Sequence, residues 1–352
     1  MTGTSMDGID ISFVRTNGIS LERLDKNIFY PFNNKIKELF LNISNKNLNF
    51  NLKRKSYLDK IITEEHYQAL KTTDFLKSCD LIGFHGQTIY HNPEERVSIQ
   101  IGDAQKLSNL TNKNVVFDFR KNDIEMGGQG APLAPIYHKF IIESLNLELP
   151  SCILNIGGIS NLTYWDGKTL IGFDTGPGNT LMDNYMKLKY NKFYDENGTL
   201  ASSGIPNKEL IKKFLSHKYF KTFPPKSLDK NSFIYFYKNL LKQKLDNKDK
   251  LATLLELTIQ SILASLKLLP KKTNNIMVTG GGSRNTFLMK QLKNHLPIKF
   301  LNEEEIGLNF DYIESELIAY LSARSIYKLP FTFPSTTGVQ KPLSGGKLYE
   351  YL

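Results

Sequence analysis

The chain has 352 residues, 40% hydrophobic and 23% charged, which is enough for two domains with a core each and excludes a disordered chain. Its formal charge of +10 does not mark a nucleic-acid binder, because the lysines are scattered through Lys/Asn-rich stretches such as Asn45-Lys46-Asn47 and Lys242-Gln243-Lys244, without a basic stripe interleaved with aromatics. Cys79 and Cys152 stand in no metal or redox spacing, no leader-like segment opens the chain, and the longest apolar helix candidate, Leu251 to Leu269, carries Glu256, Gln260, Ser261, Ser265 and Lys267; this pattern excludes a zinc cage and a membrane span, and a cytoplasmic protein is expected.

In chain order, Gly3-Thr4-Ser5-Met6-Asp7-Gly8-Ile9-Asp10 is a small-residue turn running into a strand through Val14. Such a turn can present several N–H groups to phosphate, and Asp7 or Asp10 can hold Mg²⁺ through water. Residues 33 to 77 have helical spacing, as at Ile36, Leu39, Phe40 and Ile43, and read as surface helices without chemistry. Three apolar runs follow, at 80–85, 97–103 and 115–117, and are read as parallel strands. Their carboxyl ends carry His85, Gln87, Thr88, Gln100, Asp103 and Asp123, hydrogen-bonding groups suited to a polyhydroxylated ligand. A single His beside a turn, as at His85, is by itself more often structural than catalytic.

Asp118 to Pro132 is the stretch in which the chemistry is expected. It holds three carboxylates and Arg120, then Gly127, Gly128, Gln129 and Gly130, at the end of a buried strand where open α/β sheets bind ligands. A helix is predicted from Leu133 to Leu147, between two prolines. The hairpin 151–165, turning at Gly157-Gly158, restarts β-structure and sets the predicted boundary between domains 1–150 and 151–352. A strand over 169–173 then enters Asp174-Thr175-Gly176-Pro177-Gly178-Asn179, with a helix from Thr180, an order that suits phosphate with a metal. Residues 206 to 246 read as helical surface, and after the helix at 251–269 a strand ends in Gly280-Gly281-Gly282, the adenine-side candidate. Ile313 to Tyr327 is a further helix with Glu314 and Glu316 in its first turn, and 334–338 is a loop. No Gly-x-x-x-x-Gly-Lys-Ser/Thr occurs, which excludes a P-loop NTPase.

Taken together, these turns resemble the anhydro-N-acetylmuramic acid kinases of the actin-like and sugar-kinase superfamily. The resemblance runs through Gly3 to Asp10, His85 to Thr88, Gln100 to Asp103, Asp118 to Arg120 with Asp123, Gly127 to Pro132, Asn155 to Asn161, Phe173 to Asn179 and Gly280 to Gly282. It implies an α/β chain of two actin-like (ribonuclease H-like) domains with a nucleotide cleft between them, and the carboxyl-terminal segment packing back on the first. It also implies ATP and Mg²⁺ as cofactors and an amino sugar as the small-molecule substrate, with neither nucleic acid nor membrane as partner; a homodimer is compatible with it. Asp123 is the expected base. Gly3, Gly8, Gly157, Gly158, Gly176 and Gly178, with Thr4, Ser5, Met6, Ile9, Asp10 and Asn179, are expected around phosphate, Asp7 and Asp174 on the metal side, and Gly280, Gly281 and Gly282 at adenine. The sugar falls to His85, Gln87, Thr88, Gln100, Asp103 and Gln129. Arg120 either braces its loop or meets the substrate's lactyl carboxylate. Members of the family carry an apolar strand before the Gly-Thr-Ser turn, so the natural start is expected upstream of Met1. The competing readings are another actin-like kinase and a non-catalytic sensor of cell-wall fragments.

Overall fold

The computed structural model describes residues 1–3, 7–44, 52–92, 95–228 and 232–352, with the backbone alone at Asp25, 40–44 and Leu52. The chain forms two compact units, Met1–Phe140 with Asp311–Leu352, and Ile141–Phe310.

In the first unit β1 (Gly8–Thr16) and β2 (Leu21–Pro31) make an antiparallel hairpin. Helices α1 (Asn34–Ser44), α2 (Leu52–Lys71) and α3 (Phe75–Ser78) follow. The reading of this region as surface needs correction. Leu58 and Ile62 of α2 are wholly buried in a cluster with Ile9, Phe32 and Ile101, a burial that stabilises by about 1.5–3 kcal/mol per side chain. From the same helix Asp59 Oδ1 accepts from the Gly102 amide at 2.9 Å and Thr63 Oγ1 from the Asp103 amide at 2.8 Å.

Strands β3 (Leu81–Gly83), β4 (Gln87–Asn92) and β5 (Val97–Ile101) come next, then α4 (Ala104–Thr111), β6 (Asn114–Phe117), α5 (Lys121–Glu125) and α6 (Pro135–Ser144). β3 and β6 pair in parallel as expected. β5 does not join them; it pairs antiparallel with β4 as a separate hairpin, a partner that the apolar run alone does not specify.

The second unit is built on a five-stranded sheet. It contains β7 (Ser151–Ile156), β8 (Ile159–Trp165), β9 (Leu170–Pro177), α7 (Thr180–Tyr190), α8 (Lys208–Leu215), α9 (Ile234–Lys242), α10 (Asn247–Leu266), β10 (Asn275–Thr279), α11 (Thr286–His295), β11 (Lys299–Leu301) and α12 (Glu303–Ile306). The strand order is β11-β10-β7-β8-β9, with β7, β8 and β9 antiparallel and β10 and β11 running parallel to β7. Helix α10 is buried nearly all round, with Leu257, Ile259 and Ile262 fully covered, which explains its long apolar run.

The chain then returns to the first unit. Helix α13 (Ile313–Ile326) packs on β1, β3 and β6, and β12 (Lys347–Tyr349) adds antiparallel to β6. Glu316 stands in the first turn of α13 as expected; it is also 3% exposed and takes both a 3.0 Å pair with Arg23 and a hydrogen bond from the Tyr137 hydroxyl.

Candidate active site

The β4–β5 hairpin aligns a row of polar side chains on one face. Its register sets Thr88 opposite Gln100 and His91 opposite Ser98. Gln100 Nε2 donates to Thr88 Oγ1 at 3.2 Å and to Ser98 Oγ at 2.8 Å, and His91 Nδ1 lies 3.1 Å from Ser98 Oγ. Gln87 is 1% exposed, and its Oε1 has no protein partner among the described residues. A buried acceptor in that state favours a ligand donor. Gln129 has the same unfilled Oε1, while its amide is held by the Thr337 carbonyl at 2.8 Å.

His85 donates from Nδ1 to the Gly86 carbonyl and accepts at Nε2 from Arg120 Nη2 at 3.2 Å. Burial, then the Arg120 charge, pushes its pKa down to about 3, so the ring is neutral and its tautomer fixed. Arg120 also donates to the Gly130 carbonyl at 2.8 Å, so the loop-bracing role is the one the contacts describe. Asp103 caps α4, its Oδ1 accepting from the Lys106 amide at 2.9 Å.

Asp123 lies in α5 and is 2% exposed. Its Oδ1 accepts from the Gly130 amide at 2.7 Å and its Oδ2 from the Thr337 hydroxyl at 2.6 Å. A Cβ on Gly128 would stand 2.1 Å from Oδ1, so the glycine is needed for the loop to close over this carboxylate. The bonding is that of a staple between the 123–130 loop and the carboxyl-terminal segment.

At the start of β1, burial lifts the Asp10 carboxyl to about 7, opposed by the amino terminus and reinforced by Glu314, Asp7 and Asp311. Crowded negative charge of this kind is what a cation relieves. Gly3, Gly8 and Ile9 flank it, whereas Thr4, Ser5 and Met6 lie outside the described residues.

In the second unit two turns are tied to each other. The amides of Gly178 and Asn179 donate to the carbonyls of Gly158 and Gly157 at 3.0 and 2.8 Å, and Thr258 of α10 donates to the Gly178 carbonyl at 2.9 Å. A Cβ on Gly178 would fall 2.2 Å from the Gly157 carbonyl oxygen, and one on Gly176 would fall 2.6 Å from Ser261 Cβ. Both glycines are thus explained by packing, and the amides of 178 and 179 are spent within the protein.

Asp174, expected in a turn, belongs to β9. Its Oδ2 accepts from the Leu228 amide at 2.8 Å, its own amide donates to the Lys226 carbonyl, and its carbonyl accepts from the Tyr219 hydroxyl. Burial pulls the Lys226 ammonium down to about 8 against the opposing charge of Asp174. Leu228, held in this way, lines a small pocket with Gly158, Ile159, Pro177, Thr180, Leu181 and Phe233.

Of the glycine triplet, Gly280 (φ +78°) and Gly282 are pinned against Asn155 and Ile156, whereas a Cβ on Gly281 would meet nothing nearer than Asn179 Nδ2 at 3.7 Å. Gly281 is the one with room for a ligand.

Sequence reasoning passed over Asp183. It sits in the first turn of α7, directly after the clamped glycine turn, and burial raises its carboxyl to about 7. An acidic residue four positions into a helix that follows a Gly-rich turn was the available signal, and it reads equally as a dipole partner.

An α/β chain with Gly-rich turns leading from strands into helices has the parts a phosphotransferase sets around phosphate, and the comparisons place it in that class. The family model described as Anhydro-N-acetylmuramic acid kinase matches residues 1–351, and the chain belongs to that family. The anhydro-N-acetylmuramic acid kinase of Nitrobacter winogradskyi is 36% identical over 98% of this chain and 97% of its own. Those of Rhodopseudomonas palustris and Zymomonas mobilis are each 37% identical over 99% of this chain, covering 97% and 98% of their own lengths.

Proposed function

We propose that Asp183 primes the water that opens the anhydro bridge, in a reaction where ATP, water and 1,6-anhydro-N-acetylmuramic acid give N-acetylmuramic acid 6-phosphate and ADP. Opening an internal glycosidic bond ordinarily takes two carboxyl groups, one to activate water and one to protonate the leaving oxygen. Here the leaving oxygen is O6. Water bonds to C1 as the C1–O6 bond breaks, O6 bonds to the γ-phosphorus, the bond from that phosphorus to the bridging oxygen of ADP breaks, and the base keeps the water's proton. Phosphorus stands in for the second acid, so one carboxylate suffices.

The observation that carries the assignment is the place of Asp183 in the first turn of α7, its amide on the Asn179 carbonyl at 2.9 Å directly after the Gly178 turn; burial there pushes the carboxyl up to about 7, and a general base works best with its pKa near the operating pH. A base of this kind contributes about 10²–10⁴-fold. The sugar is given to Gln87, Thr88, Gln100 and Gln129, whose unfilled oxygens at Gln87 and Gln129 match sugar donors. The adenine side is given to Gly281, which has the open face that a flat ring needs.

Mg²⁺ keeps most of its waters and asks for only one or two carboxylates, a demand the crowded pair Asp7 and Asp10 meets better than Asp174, whose Oδ2 is committed to Leu228. When bound, it neutralises charge on the phosphates. Among the described residues no three His, Cys, Asp or Glu side chains form a metal cage, and no helix is long and apolar enough to cross a membrane.

A second reading gives the base to Asp123, favoured by its burial in α5 just after β6. Incubation in ¹⁸O-water separates the two. Label should enter C1 of the product with wild type and with Asp123→Asn, and not with Asp183→Asn. The reverse pattern would transfer the role to Asp123.

A further inference from the structure

Among the side chains of the β4–β5 hairpin, His91 has not been used by the reading above, and it is the one whose bonding is left open at the tip of the ribbon. Its Nδ1 lies 3.1 Å from Ser98 Oγ, and its buried Nε2 has no protein partner among the described residues. Ser98 Oγ accepts from Gln100 Nε2 at 2.8 Å, which leaves its proton available to His91 Nδ1. In the tautomer that takes this proton at Nδ1, the ring carries its own on Nε2, a buried N–H with no protein partner among the described residues. Burial, with Arg120 adding a repulsive charge, holds the ring neutral with a pKa of about 3. The field of Arg120 at His91 also disfavours a cationic visitor and favours an anionic acceptor.

We propose that His91 is a specificity-determining residue for this reaction, donating from Nε2 to the carboxylate of the lactyl arm on the amino sugar. Ser98 and Gln100 act behind it as positioning residues, holding the ring through a relay that ends at Thr88 Oγ1. The inference rests on the reading that this hairpin holds the sugar. It adds the group that tells a muramic acid from the same anhydro sugar without its lactyl ether, because both share the bridge and the acetamido group and differ in the carboxylate. A neutral donor on a carboxylate forms a charge-assisted hydrogen bond, the stronger class.

The test is steady-state kinetics of His91→Phe and His91→Gln with two sugars, 1,6-anhydro-N-acetylmuramic acid and 1,6-anhydro-N-acetylglucosamine. His91→Phe should raise KM for the carboxylated sugar by roughly 10- to 100-fold, as expected for loss of a hydrogen bond to a charged group. KM for ATP, and kcat/KM for the carboxylate-free sugar, should stay within about twofold. His91→Gln, which keeps an N–H donor, should recover a large part of the loss. Equal losses on both sugars, or no loss in His91→Phe, would overturn the proposal. Gln100→Leu separates it from the reading beneath it. If Gln100→Leu raises KM for both sugars while His91→Phe does nothing, only the role of His91 fails; if neither variant moves KM for either sugar, the hairpin is not the sugar site.

Discussion

Thr337 donates its hydroxyl to Asp123 Oδ2 at 2.6 Å across 214 residues of sequence, and the Gln129 amide bonds the Thr337 carbonyl at 2.8 Å. The carboxyl-terminal segment thereby locks the loop that carries Gln129. Thr337→Val removes a buried hydrogen bond to a charged acceptor, which contributes about 1.5–3 kcal/mol. Urea unfolding should show a loss of about 2 kcal/mol. Asp123→Asn should lose stability similarly while turnover stays within about tenfold, against the 10²–10⁴-fold expected of a lost base.

The clamp between the two glycine turns predicts a contrast between neighbouring alanines. Gly178→Ala drives a methyl to 2.2 Å from the Gly157 carbonyl oxygen, a backbone atom that cannot swing aside. Overpacking of this kind costs about 1–3 kcal/mol, and forcing the turns apart should also weaken ATP binding. Gly281→Ala meets nothing closer than 3.7 Å and should leave the melting temperature unchanged. If Gly281 faces adenine, however, titration with ATP should show weaker binding by the same variant; unaltered affinity would remove the adenine assignment.

How much of this was legible depended on how local each cause is. The Gly157-Gly158 hairpin, the start of α7 at Thr180 and the strand before Gly280 were readable because periodicity and turn chemistry lie within a few residues. The pairing of β5 was not, since Val97 to Ile101 is apolar enough for either a parallel or a hairpin partner. Asp174 to Pro177 reads as a turn by composition, yet it continues β9 because β8 offers Ser160 and Asn161 as partners. The place of Glu316 in a first helical turn was readable, but its partner Arg23, 293 residues away, was not. Similarly, nothing near Asp123 announces Thr337, and nothing near Asp183 reveals the burial that lifts its carboxyl.

The Arg23–Glu316 pair gives a prediction about the first unit alone. Glu316 is 4% exposed at its side chain and Arg23 is 25% exposed, so removing the arginine strands a buried carboxylate. Breaking a buried pair from one side typically costs 3–5 kcal/mol; with Arg23 partly solvated, Arg23→Met should cost about 2–3 kcal/mol. The double variant Arg23→Met, Glu316→Met should be more stable than Arg23→Met by denaturant unfolding, because no unpaired charge remains.

Asp183 should leave its mark on both activity and stability, in opposite directions along the pH axis. Its carboxyl titrates near 7 in the folded chain and near 3.8 in the unfolded one, with burial as the cause. As a base it must be ionised, so kcat/KM should climb tenfold per pH unit below about 7 and level off above it. In the folding equilibrium the native state holds a proton that the unfolded state has released between those two values, so its contribution is present in full below about 3.8 and lost as pH rises through about 7. Three units correspond to at most about 4 kcal/mol. Asp183→Asn, which cannot ionise, should therefore be about 2–4 kcal/mol more stable than wild type at pH 8, with the difference vanishing near pH 4, while its turnover is lost throughout. A variant that loses turnover without gaining stability at high pH would mean that the carboxyl is solvated and ordinary, and the base would have to be sought elsewhere.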